Sequence, residues 1–206
     1  MKSTIKLIIF DAAGVTWVGG YPWTCRFLAK KYHLPYKKVL VVMQDKWFLQ
    51  ACTGKMSSIV AFEKGAEDLK IPLSGRKLEE LHLSLIKVRK EMLDFSQYLR
   101  EHGYQTIILS NNYAHYIKKL RKKFKLDKYF DGVINSQELG INKTDPKMFN
   151  YTLSKFHAKP AGALYFDDQK ENLIAPISVG INTILFKNVT QIKRDVLRLL
   201  KKYEKN

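Results

Sequence analysis

Residues 7–15 read Leu-Ile-Ile-Phe-Asp-Ala-Ala-Gly-Val: four apolar residues, then a carboxylate, two small residues and a glycine. A short continuous apolar run bounded by a turn signal suits a strand buried on both faces of a sheet. Asp11 then stands at the carboxyl end of that strand. In an open α/β sheet, ligands bind in the crevice outside those ends. An acid there serves as a nucleophile, a metal ligand or both. The commoner use of Asp after a strand is to cap the following turn.

The second half of the chain supplies partners for such a strand. Residues 106–110, 131–135, 163–168 and 182–186 are short apolar runs that read as strands, the first of them Thr-Ile-Ile-Leu-Ser. Between them lie helical patterns: 92–103, ending at Gly103; a basic helix after Asn112; 145–156, with Pro146 in its first turn; 171–179; and 190–203. Strands alternating with helices mean right-handed crossovers and a parallel sheet. From about 16 to 88 the periodicity is helical and no convincing strand is visible. Helices are expected at 22–32, 36–49, 57–69 and 76–89, with Gly54 as a break and Ser57 or Ser58 as a cap. This block of four helices looks like an insertion after the first strand.

A chain of 206 residues allows one domain, or one domain carrying a small insertion. Its net charge of +17 is shared by both halves and favours anionic substrates by steering. The densest basic run, Lys118 to Lys128, has helical spacing and few interleaved aromatics, so it reads as a solvated helix face and nucleic acid is not expected as a partner. Cys25 and Cys52 have no metal or redox spacing, which suggests a reducing compartment and a cytoplasmic location. The first apolar run is too short for a signal peptide, and no segment approaches membrane-spanning length, so no membrane partner is expected. The oligomeric state leaves no trace in the pattern.

Three of the expected strands end in polar residues: Asp11, then Ser110-Asn111-Asn112, then Asp167-Asp168. Together they place carboxylates and small donors on one edge of one sheet. Carboxylates converging without Cys or His suit a hard cation such as Mg²⁺.

In order, these segments resemble the motifs of the haloacid dehalogenase superfamily, in the subfamily with a helical cap after the first strand. Leu-Ile-Ile-Phe-Asp11 resembles the nucleophile motif, and Ile-Ile-Leu-Ser110-Asn111 the second motif, whose hydroxyl binds phosphoryl oxygens. Gly140-Ile-Asn-Lys143-Thr-Asp145-Pro146-Lys-Met-Phe149 is similar to the third, whose lysine steadies the nucleophile and the phosphoryl charge. Tyr165-Phe-Asp167-Asp168-Gln-Lys-Glu-Asn172 is similar to the fourth, which holds magnesium. Ser136-Gln-Glu-Leu-Gly140 and Val179-Gly180-Ile181 also fit. The likeness covers residues 5–15 and 90–187; within the helical block it extends only to Thr53-Gly54-Lys55-Met56-Ser57. The pattern is nearest to sugar-phosphate phosphatases and epoxide-hydrolase-like phosphatase domains.

The resemblance implies an α/β, Rossmann-like three-layer sandwich with a mainly parallel five-stranded sheet. Residues 1–15 and 89–206 would form the core, and 16–88 a four-helix cap that closes over the site. It implies a magnesium-dependent phosphatase acting on a small phosphorylated metabolite through an aspartyl-phosphate. Asp11 is then the nucleophile. Asp11, the Ala13 carbonyl and Asp168 hold Mg²⁺, with Asp167 a partial or indirect ligand. Ser110, Asn111 and Lys143 bind the phosphoryl group. Asn172 could orient either aspartate, and Asn112 is expected to cap the basic helix.

Ala13 departs from the pattern. Phosphatases of this kind usually carry an acid–base aspartate two residues after the nucleophile, a group worth about 10²–10⁴ in rate. Three readings follow: a phosphatase using another acid, with His33 and Glu63 of the cap as candidates, or a water or a good leaving group; a phosphonoacetaldehyde-hydrolase-like enzyme that cleaves a C–P bond through a Schiff base on Lys46 or Lys55; or a catalytically weakened protein that binds a phosphorylated ligand or partner. The acidic fourth motif argues for a metal and so against dehalogenation.

Overall fold

The computed structural model describes residues 4–204. After β1 (Leu7–Asp11) the chain forms β2 (Trp17–Val18) and then the helices α1 (Tyr21–Lys31), α2 (Tyr36–Leu40), α3 (Leu49–Cys52), α4 (Ser58–Leu69) and α5 (Gly75–Ser84). β3 (Lys87–Val88) returns antiparallel to β2. The remainder alternates: α6 (Lys90–Glu101), β4 (Gln105–Ser110), α7 (Ala114–Phe124), β5 (Gly132–Asn135), α8 (Ser136–Leu139), α9 (Pro146–Lys155), β6 (Ala163–Asp167), α10 (Ile174–Ser178), β7 (Asn182–Leu185) and α11 (Val189–Glu204).

β1 is the middle strand of a five-stranded sheet with order β5-β4-β1-β6-β7, and every pairing in it is parallel. Alternate residues of β1 serve opposite layers. Ile8 and Phe10 join the core formed with α6, α7 and α11, while Leu7 and Ile9 join the one formed with α9 and α10. All four are fully buried, and each such side chain contributes roughly 1.5–3 kcal/mol of burial free energy before chain entropy is counted. The fold is therefore a three-layer α/β sandwich with a helical insert after its first strand, as the run of motifs implied.

The five sheet strands lie where the apolar runs placed them. The β2–β3 ribbon is an addition to the expected all-helical insert. Its strands are two residues each, too short to carry a period. The second expected helix is longer than predicted: α2 continues through a wide π-helical segment, Val41–Phe48, into α3. α4 packs against that segment at Gly65, where a Cβ would stand 2.4 Å from Met43 Sδ. Ser57 caps α4 by accepting from the Val60 amide at 3.2 Å, and Asp145 caps α9 ahead of Pro146. Asn112 does not cap the basic helix. Its Oδ1 accepts from the Tyr113 amide, and the helix's Ala114 amide donates instead to Gln137 Oε1 at 2.9 Å. Among the described residues no helix is long and apolar enough to cross a membrane.

The insert is fastened to the core through α7 and the turn before it. The Tyr21 and Tyr113 hydroxyls hydrogen-bond to each other. Phe48 meets Tyr113 edge-on at 5.4 Å, and His82 lies 5.2 Å from the Tyr116 ring. Beside them Glu79, 1% exposed, pairs with His115 at 2.7 Å and Lys119 at 2.9 Å while Ser58 donates to it at 2.5 Å. At the other end Ser136 Oγ and Gln137 Nε2 donate to the Cys52 and Ala51 carbonyls, both at 2.9 Å.

Candidate active site

Parallel register sets the site. β1 ends at Asp11 beside Leu109, one residue short of Ser110, and its last pairing with β6 is Phe10 with Phe166, one residue short of Asp167. Three strand ends thus deliver Asp11, Ser110 and Asp167 to one edge, all of them buried. Lys143, in the loop between α8 and α9, reaches in from the side and is only 3% exposed. Its Nζ donates to Asp11 Oδ1 and, at 2.9 Å, to Asp167 Oδ2. Asn111 Oδ1 accepts from the Lys143 amide at 3.0 Å, so this side chain holds the lysine's loop.

Asp167 is the most fully bonded of the carboxylates. The Gln169 amide donates to it at 2.8 Å, Asn172 Nδ2 reaches both its oxygens at 3.1 Å, and the Tyr165 hydroxyl donates to Oδ2. Tyr165 is a site residue the sequence reading passed over, although i, i+2 spacing on a strand puts it on the same face as Asp167. Asn172 orients Asp167. Asp168, next in the chain, is exposed and free to meet a ligand. Asp11, Asp167 and Asp168 bring carboxylate oxygens within 4.8 Å of one another. Gly14 makes room for them: its φ is +97°, and a Cβ would stand 2.1 Å from Asp168 Oδ2. Ala13 is exposed in the loop between Asp11 and Gly14.

The electrostatics follow from this crowding. Burial pushes the Asp11 carboxyl up to about 8, against the pull of Lys143, and the neighbouring Asp167 and Asp168 add to the rise. Burial also works against Lys143, but Asp11 and Asp167 outweigh it and hold the ammonium above its ordinary range. Asp167 is buried too, yet Lys143, Tyr165 and the Gln169 amide hold it below the usual carboxylate value. Burial and then Asp167 raise Asp168. A set of carboxylate oxygens that repel one another, with no thiolate or imidazole among them, fits a hard divalent cation.

Of the proposed helpers from the insert, Lys46 and Glu63 have other partners. Lys46 pairs with Asp68 at 2.7 Å, and Glu63 accepts from the Gly75 amide at the start of α5. His33 is exposed at a left-handed turn after α1, φ +53°. Lys55 lines a cavity of about 260 Å³ together with Leu49, Gln50, Cys52, Thr53, Asn111 and Asn142.

Similarity to known proteins agrees with this geometry. The chain is 28% identical over 113 residues to mouse bifunctional epoxide hydrolase 2, covering 53% of this chain and about a fifth (20%) of that protein. It is 32% identical over 92 residues to glyceraldehyde 3-phosphate phosphatase of Pyrococcus furiosus, covering 43% of this chain and 38% of that one. In structure it resembles the HAD family enzyme BT-2542 of Bacteroides thetaiotaomicron, with a TM-score of 0.76 at 23% identity, covering 90% of this chain and 95% of that one. A predicted HAD-like family hydrolase from Porphyromonas gingivalis aligns with a TM-score of 0.79 at 22% identity over 96% and 98% of the two chains. Residues 5–180 match the family model for haloacid dehalogenase-like hydrolases. The chain belongs to the haloacid dehalogenase-like hydrolase family.

Proposed function

We propose that this hydrolase is a magnesium-dependent phosphatase of a small phosphorylated metabolite. The observation that carries the reading is the buried bridge from Lys143 to both Asp11 and Asp167 at the carboxyl edge of the sheet. Asp11 Oδ attacks phosphorus, the P–O bond to the leaving group breaks, and an aspartyl-phosphate forms. Water then attacks the phosphorus of that intermediate, the acyl phosphate P–O bond breaks, and inorganic phosphate leaves with Asp11 restored. Covalent catalysis divides one hard displacement into two easier ones. Lys143 and the amides after Asp11 supply a fixed positive field for the phosphoryl oxygens. Ser110 adds a hydroxyl at the neighbouring strand end, and Asn111 keeps Lys143 in place. Asp11, Asp168 and the Ala13 carbonyl would hold Mg²⁺, with Asp167 behind them; the ion, when bound, offsets the charge of the phosphoryl group. A relative of this fold, BT-2542, has been solved with magnesium and inorganic phosphate.

Residues 16–88 act as a cap over a core of 1–15 and 89–206, and the cavity lined by Lys55 and Asn111 is where the rest of the substrate lodges. With Ala13 in place of an acid, the leaving group departs with little proton assistance. A second reading, Schiff-base cleavage of a C–P bond, is favoured by that same Lys55; Lys46 is engaged by Asp68. The two free, buried cysteines support a reducing, cytoplasmic setting. The test is hydrolysis of an aryl phosphate. Activity should need Mg²⁺, stop with chelator, return on re-addition and vanish in a folded Asp11→Asn variant. Wild-type turnover in that variant removes Asp11 as nucleophile. A borohydride-stable adduct of phosphonoacetaldehyde on Lys55 would establish the second reading instead.

A further inference from the structure

The outer face of α1 has an unusual composition. At about 100° per residue, Pro22, Trp23, Arg26, Phe27, Lys30 and Lys31 share one arc. All six are exposed, while Tyr21, Thr24, Cys25, Leu28 and Ala29 face inward. Trp23 and Phe27 stand near the centre of the arc, with Arg26 and Lys30 on one flank and Lys31 on the other. The surface continues onto α2, because the Arg26 guanidinium lies 5.7 Å from the centre of the Tyr36 ring. Lys37 and Lys38 extend it and are exposed. Trp23, Phe27 and Tyr36 remain 37%, 39% and 37% exposed. No Asp or Glu occurs between Asp11 and Asp45, so this segment offers cations and rings with no acid of its own to pair them. None of these side chains takes part in the site at the sheet edge.

We propose that this face is a peripheral docking surface for an anionic lipid bilayer. A helix that presents Trp and Phe between Lys and Arg lies in the membrane interface, rings at headgroup depth and cations on lipid phosphates and carboxylates. The expectation of no membrane partner rested on the lack of a spanning segment, and this surface needs none. Single-stranded nucleic acid fits less well. It is held by bases stacking on open ring faces, and here Lys31 lies 5.8 Å over Phe27 and Arg26 covers Tyr36. A bilayer asks only for ring edges and a convex, cationic face.

Vesicle co-sedimentation of the whole protein tests this at ~0.15 M salt, where interactions fade within about 8 Å. Phosphatidylcholine vesicles with about 30% phosphatidylserine should bind it, and pure phosphatidylcholine vesicles should not. R26E/K30E should lower partitioning by at least about 25-fold, roughly fivefold for each attractive charge removed. Trp23→Ala with Phe27→Ala should lower it about tenfold. K118E/K122E on α7 makes the same change in net charge and should keep most of the binding. Thermal unfolding verifies that each variant is folded. Equal losses from the α1 and α7 reversals would reduce the effect to net charge and overturn the proposal. So would vesicle binding that survives both α1 variants, or a wild type that binds a single-stranded oligonucleotide through this face but not the mixed vesicles.

Discussion

Replacing His82 with asparagine should flatten the protein's acid sensitivity. His82 is buried among Tyr21, Phe62 and Tyr116, and its Nδ1 is 2.8 Å from Thr24 Oγ1. That hydroxyl lies 3.0 Å from the Gly20 carbonyl, to which it donates, leaving its oxygen to accept from an Nδ1–H of His82. Burial pushes the imidazole from its ordinary 6.5 down to about 3, with Glu79 opposing weakly. The sign follows from linkage. A folded-state value depressed below the unfolded one means that the unfolded chain binds the extra proton, so stability falls as pH falls from 6.5 toward 3. At pH 5 the loss is about 2 kcal/mol, and the slope there is close to 1.4 kcal/mol per pH unit. Urea unfolding midpoints from pH 7.5 to 5 measure it directly. The wild type should lose about 2 kcal/mol over that interval beyond the loss shown by His82→Asn, whose amide can still donate to Thr24. Parallel stability curves for the two proteins would refute the argument and show that His82 accepts a proton in the folded state.

Three further outcomes probe the site. Gly14→Ala should raise the Mg²⁺ concentration for half-maximal hydrolysis at least tenfold, because its Cβ needs the space of the Asp168 carboxylate and φ +97° costs about 1 kcal/mol or more; an unchanged Mg²⁺ requirement removes Asp168 from the cation site. Lys143→Met removes the ammonium that bridges two buried carboxyl groups and should cost about 3–5 kcal/mol in urea unfolding at pH 7; a loss below about 1 kcal/mol would mean that the bridge does not hold the two strand ends together. Wild-type rates should depend steeply on leaving-group pKa, and Ala13→Asp should flatten that dependence and help alkyl phosphates by up to about 10²-fold. A shallow wild-type slope with chemistry rate-limiting would show that another group already supplies the proton.

The strands of the sheet were legible because each is a short apolar run closed by a turn residue, a signal that survives without knowing any partner. The same runs pointed at Asp11, Ser110 and Asp167, since their last residues are polar. Lys143 came from the likeness of its motif alone: it sits in a loop, and nothing in local periodicity reveals that its ammonium bridges two strand ends. Tyr165 was hidden by its apolar setting. Asn favours the cap position, which points Asn112 at the basic helix, yet Gln137 from α8 takes that place, and such a contact depends on the tertiary fold. The fastening of the insert by Tyr21–Tyr113 and by Glu79 joins residues far apart in sequence, which no single-window pattern can register.

The central position of β1 bears on synthesis. β1 leaves the ribosome before both of its sheet neighbours, β4 and β6, and β6 ends at Asp167. At typical elongation rates roughly ten seconds or more separate the exit of β1 from that of its second partner. During that interval Leu-Ile-Ile-Phe has at least one open edge and no lasting cover, the circumstance in which a nascent chain is most prone to mispairing. The acid that ends this run, and the small residues after it, interrupt the sticky segment. Asp11 can thus protect the newborn chain from aggregation as well as serve the finished one, and Asp11→Ala should lower soluble yield even if the purified variant is as stable as the wild type.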